Sequence, residues 1–242
     1  MNLNRIVRWL CLCGLLLGQS YANAQTGRLP EAISPYFAPV GKQAVMPNEE
    51  GFIQRWTLLE PIPIPVKSNT VFTDSYLRGQ FYARYFPKQF ELVPKDGTTV
   101  KVGKEKLRWH ALDSKLYNVK LFRFATSFDK PKYGVLFWAV TVIDSQEEKR
   151  DVRLSVGSNG ASIWWLNGEE AVMLEGDRRM VRDDVVSKRL TLRKGRNVLR
   201  GAVINGPGMS DFCVRFIDAK GNPVRDISIQ EGSINYHHKQ QE

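Results

Sequence analysis

Two adjacent tryptophans offer the clearest chemistry in this sequence. Trp164 and Trp165 lie in the stretch SNGASIWWLNGEEA, whose pattern predicts a strand that closes on an Asn-Gly turn. Since consecutive side chains of a strand point to opposite faces, the two indoles face apart. An exposed indole can stack on the C–H face of a pyranose ring while nearby polar groups bond the hydroxyls. The candidate carbohydrate-binding residues are Trp164, Trp165, Asn159, Asn167, Glu169 and Asp211.

The strand pattern does not decide which indole faces a core. Ile163 and Trp165 share one face and Trp164 and Leu166 share the other, so both faces are apolar. In a two-layer sandwich each strand gives one face to the core, and the second face needs cover by loops, a partner or a ligand. Cover from within the chain could come from the aromatic segment Asn69–Tyr85 or from the N-terminal leader. A sugar surface, a docking surface and internal cover are therefore three alternatives.

The loop NGPGMSD (Asn205–Asp211) is a second candidate region. Its Gly-Pro-Gly corner follows a predicted strand, and ligand sites of sandwiches often lie on such loops at the strand ends. A tight turn without a ligand is the alternative.

The motifs of covalent catalysis do not occur. No serine has glycine at both −2 and +2, so the G-x-S-x-G elbow of a hydrolase is missing, and there is no Gly-Asp-Ser block. A lone strand histidine such as His110 indicates a hydrogen-bonded structural residue. Glu169 and Glu170 would face apart on a strand, which disfavours a pair for glycoside hydrolysis. We predict no catalytic residue, although esterase activity of the chain itself is left as an alternative.

Metal, cofactor and nucleic-acid sites are not predicted. Three histidines and one cysteine after the leader give no zinc spacing, and no Gly-rich phosphate loop opens a helix. The acids Asp177, Asp183 and Asp184 interleave with arginines, which is typical of a solvated, ion-paired loop. The formal net charge of +10 is spread along the chain without a Lys/Arg block or a nucleic-acid motif.

The N-terminus has the pattern of a secretory signal peptide. Arg5 and Arg8 precede an apolar run that starts at Trp9, and the residues ANA fit cleavage after Ala24. The run is too short to span a bilayer of roughly 30 Å, and no later segment is long enough, so no membrane span is predicted. We expect a periplasmic or extracellular protein. Cleavage would leave only Cys213, whose strand pattern FCVRF indicates buried packing.

Strand patterns separated by Gly, Asn and Asp turns follow one another through the rest of the chain. The stretch Tyr133–Ile143 is apolar on both faces, which predicts a central strand covered on both sides. Only Asn69–Tyr85 has helix-like spacing. The sequence therefore predicts an all-β jelly-roll β-sandwich with one short helical segment. The predicted regions are a signal peptide (1–24), an extended leader (25–50), the sandwich (51–229) and a flexible tail (230–242).

The order of the motifs RWTLLEPIP, LRWHAL, GVLFWAVTVI, SIWWLNGEEAV and LTLRKGRNVLRGAVINGPG resembles galactose-binding-like jelly-roll domains. It is most similar to the N-terminal β-sandwich of secreted acetylxylan esterases of polysaccharide-degrading bacteria, over about residues 51–229. The resemblance implies a non-catalytic carbohydrate-binding-like accessory module with a xylan-like polysaccharide as partner. It also allows a structural domain that docks onto a hydrolase or esterase. Ser158 and Asn159 stand where calcium-using relatives carry paired acids, so the resemblance implies no metal there.

Overall fold

The described residues of the computed structural model, 29–66, 68–176 and 179–231, form fourteen strands in two antiparallel sheets. The larger sheet contains β1 (Phe37–Pro39), β2 (Arg55–Leu59), β3 (Ile62–Pro63), β4 (Thr99–Val102), β5 (Glu105–Ser114), β6 (Val135–Ser145), β8 (Ala161–Leu166), β9 (Glu169–Leu174), β12 (Gly195–Asn205) and β14 (Ser228–Gln230). The smaller sheet contains β7 (Lys149–Ser158), β10 (Val185–Val186), β11 (Leu190–Leu192) and β13 (Phe212–Ile217). The predicted all-β sandwich is confirmed.

Strands β6 and β12 form the middle of the larger sheet. Its order is β1-β5-β2-β6-β12-β8-β9, with β3 and β14 also paired to β6 and β4 paired to β5. The β6–β12 ladder runs from Gly195 opposite Ser145 to Asn205 opposite Val135. Almost every residue of β6 is buried, as the prediction of a doubly covered central strand requires.

Two short α-helices accompany the sheets. Helix α1 (Asp74–Tyr82) follows a 3-10 turn at Asn69–Val71 and begins at Thr73, whose hydroxyl accepts the Tyr76 N–H, so it lies inside the predicted helical segment. Helix α2 (Leu121–Ser127) was not predicted. The structure therefore has two α-helices where the sequence predicted one helical segment. The seven residues of α2 begin after Lys120 without a side-chain cap, so the usual start signal is missing from the sequence.

The larger sheet buries both of its faces. The face toward the smaller sheet carries Trp56 and Trp164, which form an aromatic group with Phe212 of β13 in the smaller sheet, with ring centroids 5.0–5.7 Å apart. The opposite face carries a second core, which is covered by α1 and by the loop at 83–94. The members of that second aromatic group are Trp109, Trp138, Trp165, Phe81, Phe86 and Phe90. Helix α1 and its loop therefore act as a third layer on the larger sheet.

The predicted leader packs on the sandwich where it is described. Phe37 is buried in the core, and its strand β1 pairs with the edge of β5 opposite Ser114. Val45 forms a bridge with Ile229 of β14. The predicted signal peptide and most of the predicted tail lie outside the described residues. No helix in the described part has the length and apolarity needed to cross a membrane.

Candidate binding surface at one end of the sandwich

Trp164 faces the core between the sheets. Its side chain is 0% exposed, and its indole N–H donates to the Ser162 hydroxyl at 3.1 Å. The ring lies directly on Gly201 of β12, where an added Cβ would meet ring carbons at 2.3–2.6 Å. The glycine therefore makes room for the indole, and Trp164 has no free face for a sugar.

Trp165 faces the opposite core and is 3% exposed. Its ring lies parallel to Trp138 at 5.6 Å, and the rings of Tyr82 and Phe90 meet it edge-on at 5.8 and 5.6 Å. Tyr82 belongs to α1, and Phe90 to the loop that follows. The alternatives for the second indole were a sugar surface, a docking surface and cover from within the chain. The structure shows cover from within the chain, so neither indole forms an exposed platform for a sugar.

Asn167 and Glu169 lie at the β8–β9 turn. Asn167 and Gly168 both have positive φ angles, 53° and 89°, as a type I′ turn requires. The Asn167 amide donates to Asn197 Oδ1 at 2.9 Å and accepts the Val198 N–H at 2.9 Å, so it has a structural role. Glu169 is exposed, but the buried indoles offer it no neighbouring sugar platform.

Asn159 and Asp211 meet at the other end of β8. The Asn159 N–H donates to the Asp211 carbonyl at 3.0 Å, and Asp211 Oδ2 accepts from Lys120 Nζ at 2.7 Å. Burial raises the pKa of the Asp211 carboxyl above its usual value, although Lys120 opposes this. The buried oxygens Asn159 Oδ1, Asp211 Oδ1 and Ser210 Oγ have no hydrogen-bond partner among the described residues. Asp211 therefore faces inward and is not available to a surface ligand.

The Gly-Pro-Gly loop supports its neighbour, the loop between α2 and β6. The buried Asn205 amide donates to the Lys132 carbonyl at 2.8 Å and to the Gly208 carbonyl at 3.2 Å. At the end of the supported loop, Gly134 has a φ of 59°, and its carbonyl accepts the Ile64 N–H at 2.7 Å. A Cβ at Gly134 would lie 2.8 Å from the Ile64 carbonyl oxygen, so this close approach requires glycine.

Aromatic and basic side chains alternate on the outer surface of α2 and this loop. Tyr133 is 52% exposed, and its ring lies 5.9 Å from that of Phe122. Lys132 Nζ lies 5.0 Å from the Phe122 centroid and 5.7 Å from the Tyr133 centroid. The Arg123 guanidinium carbon lies 5.1 Å from the Tyr36 centroid and 6.0 Å from the Phe122 centroid. We call Tyr36, Phe122, Arg123, Lys132 and Tyr133 the aromatic–basic strip.

An open cavity of about 370 Å³ adjoins the strip. Such a volume lies within the range of roughly 300–1,000 Å³ that is typical of small-ligand sites. It is lined by Thr126, Asp129, Lys130, Pro131, Lys132 and Tyr133. A hydroxyl, a carboxylate and two ammonium groups therefore surround a space that has an aromatic ring at its edge.

Behind this cavity lies a buried polar cluster. Lys130 Nζ pairs with Glu60 Oε2 at 3.1 Å, while Glu60 Oε1 lies 3.4 Å from His110 Nε2. The imidazole packs on the Phe128 ring at 4.0 Å between centroids. No serine hydroxyl hydrogen-bonds His110 in the part of the chain that the structure describes. The cluster binds α2 and its loop to the sheet, in keeping with the predicted structural role of His110.

A larger cavity, about 570 Å³, lies within the loop that covers Trp165. All its lining residues belong to the segment 84–91. The polar contacts nearby hold the cover in place: Glu170 pairs with Arg78 at 3.1 Å and accepts a hydrogen bond from Tyr82. This cavity therefore belongs to the segment that covers Trp165. The cavity at Tyr133 is likewise lined by one segment, 126–133, but the loop in that segment is held by the Asn205 amide.

Groups suited to other chemistry are buried or dispersed. Within the described ranges, no cluster of three or more His, Cys, Asp or Glu side chains could hold a metal ion. Cys213 is buried in β13, and burial raises the pKa of its thiol to about 12. Its predicted packing role agrees with this position.

The aromatic–basic strip was not predicted, because it depends on α2, which was not predicted either. The sequence feature that could have indicated the strip is the alternation of aromatic and basic residues in LFRF and KPKY, two short stretches on either side of the C-terminal end of α2. The two stretches come together only when α2 folds back toward β6.

No family model matches the chain, and no curated protein matches it. Among solved structures, it is similar to a beta-glucosidase from Kluyveromyces marxianus in complex with glucose, with 20% identity and a TM-score of 0.36, over 54% of this chain and 16% of that one. It is also similar to the PA14 domain of the antifreeze protein MpAFP, with 11% identity and a TM-score of 0.31, over 42% and 55%. A GH31 alpha-xylosidase from Xanthomonas citri has 9% identity and a TM-score of 0.26, over 81% and 18%. The chain matches less than two thirds of each neighbour, and likenesses this low assign neither ligand nor activity.

Proposed function

We propose that this protein is a non-catalytic carbohydrate-binding accessory module whose sugar contact is the aromatic–basic strip. The observation that carries the proposal is the half-exposed Tyr133 ring at the edge of the 370 Å³ cavity. A phenol ring buries the C–H face of a pyranose, and the groups of Thr126, Asp129 and Lys132 can bond its hydroxyls.

The support beneath the strip favours binding over a passive surface role. Asn205 and Gly134 fix the loop that presents Lys132 and Tyr133. A ring that is already held in place loses little conformational entropy on binding, so more of the contact energy appears as affinity.

The proposed ligand class is a plant polysaccharide such as xylan, and the proposed location is periplasmic or extracellular. The ligand class rests on the motif resemblance to acetylxylan-esterase-associated domains, and the location on the signal-peptide pattern of residues 1–24. The alternative is a structural domain that docks onto an esterase or hydrolase through the same exposed surface.

Affinity electrophoresis in gels that contain soluble xylan tests the proposal. We expect wild type and Tyr133→Phe to be retarded, because both keep the ring, and Tyr133→Ala to bind about tenfold more weakly, the equivalent of about 1.4 kcal/mol. Met46→Ala removes an exposed apolar side chain outside the strip and serves as the control. Equal retardation of wild type and Tyr133→Ala would reject the strip as the contact. Lack of retardation in xylan and in other plant polysaccharides would favour the docking alternative.

A further inference from the structure

We propose that the aromatic–basic strip prefers acidic polysaccharides, those with uronate groups, over neutral ones. This inference rests on the proposed function and adds the charge class of the ligand. It follows from the ion pairing and the ring contacts of the basic side chains around Tyr133.

Two of these cations are oriented by aromatic rings. Within the described residues, Lys132 and Arg123 form no ion pair, and their charged groups lie over the rings of Phe122, Tyr133 and Tyr36. A cation–π contact orients a cation without neutralising its charge. Both side chains are therefore held in position by the rings, and their charges are still able to bind an anion.

The other charges at the site are accounted for differently. Lys130 forms an ion pair with the buried Glu60, so the Lys130 charge is already balanced. Asp129 lines the cavity and forms no ion pair with a described residue. Arg123 also acts electrostatically on the buried Asp211 carboxyl, which already pairs with Lys120. Lys132 and Arg123 therefore outnumber the unpaired Asp129 carboxylate, and the balance at the strip is positive, as it is for the chain as a whole.

A uronate matches this arrangement better than a neutral sugar. Its ring can stack on Tyr133 while its carboxylate accepts charge-assisted hydrogen bonds from the Arg123 guanidinium or the Lys132 ammonium. Asp129, which also lines the cavity, repels the same carboxylate and so weakens its binding. A neutral xylose unit makes only the stacking and hydroxyl contacts.

The test compares glucuronoxylan with the same polymer after chemical reduction of its carboxyl groups. We expect wild type to bind the acidic polymer about tenfold more tightly, and the preference to shrink as salt rises, because Arg123 is exposed and Lys132 is partly exposed. Lys132→Gln and Arg123→Gln should each lose about three- to tenfold of affinity for the acidic polymer and little for the reduced one. Asp129→Asn should bind the acidic polymer more tightly.

Lys194→Gln is the matched control. Lys194 is exposed immediately before β12, at the end opposite Asn205, so it carries the same charge far from the strip. Equal binding of both polymers, with sensitivity to Tyr133→Ala, would overturn the acidic preference and leave the proposed function intact. Equal losses in Lys132→Gln and Lys194→Gln would overturn it as well, because they would indicate attraction to net charge alone. Absence of binding to either polymer would reject the proposed function together with this inference.

Discussion

Trp138 and Trp165 lie parallel, with ring centroids 5.6 Å apart and planes 6° from each other, although β12 separates their strands. The intervening strand carries the small Ala202 opposite Trp138, and this leaves room for the two rings to lean together. The pair forms the floor of the second core, beneath Phe86 and Phe90 of the covering loop. Trp165 is thus a stabilising residue of the three-layer packing.

Removal of the Trp165 ring should destabilise the fold. We expect Trp165→Ala to lower the free energy of unfolding by about 3–5 kcal/mol, because it leaves a cavity under the covering loop. Urea denaturation followed by circular dichroism measures the change, with Tyr133→Ala as a surface comparison that should shift it by about 0.5 kcal/mol or less. Unchanged stability together with lost polysaccharide binding would instead indicate an indole that reaches the ligand.

Two glycine substitutions should act in opposite directions. Gly201→Ala places a Cβ within the ring of Trp164 and should cost about 1–3 kcal/mol through overpacking. Gly79→Ala, in α1 with open space around it, should stabilise by about 0.5–1 kcal/mol through helix propensity. Thermal unfolding of both variants beside wild type compares them. A neutral Gly201→Ala would show that Trp164 moves away freely.

The Glu60 carboxylate should contribute a pH-dependent part of the stability. Burial raises its pKa, but hydrogen bonds from His110, the Arg108 N–H and Lys130 outweigh burial and hold the pKa below the usual 4.5. A lowered folded-state pKa means that this stabilisation is complete above the unfolded value and is lost as the pH falls through the folded value. We expect the stability gap between wild type and Glu60→Gln to shrink from about pH 5 to about pH 3. Urea titrations at several pH values measure the gap, and a gap that widens would contradict the assignment.

The Cys213 thiol should be inert in the folded protein. Since burial raises its pKa to about 12, almost none is thiolate at neutral pH, and the thiolate is the reactive form. Iodoacetamide labelling followed by peptide mass spectrometry should show no modification of Cys213 in the native protein, and full modification in urea. Rapid labelling without denaturant would place the thiol at an accessible surface.

Asn205 should position the loop that carries Tyr133. Asn205→Ala leaves the Lys132 and Gly208 carbonyls without their buried donor, and we expect a loss of about 1–3 kcal/mol in stability. Polysaccharide affinity should fall as well, while Tyr133→Ala should lower affinity alone. Full affinity in a folded but destabilised Asn205→Ala variant would show that the strip does not depend on this support.

The fold was more predictable than the site. The apolar run of β6 and the turn at Asn167 are local patterns, and both lie where the sequence places them. Helix α2 escaped prediction because it is short and starts at Lys120 without a capping side chain. The aromatic–basic strip was not predicted either, because the strip depends on α2, which brings Arg123 beside the leader residue Tyr36.

The sequence alone determined the all-β class, the alternation that sends Trp164 and Trp165 to opposite faces, and the lack of a serine-hydrolase elbow. These are properties of neighbouring residues, so spacing is enough to decide them. Only the tertiary structure decided that both indoles are covered and that Tyr133 stands open. Exposure depends on which distant segment packs on a face, and here Phe90 from the covering loop closes Trp165 while no described segment closes Tyr133.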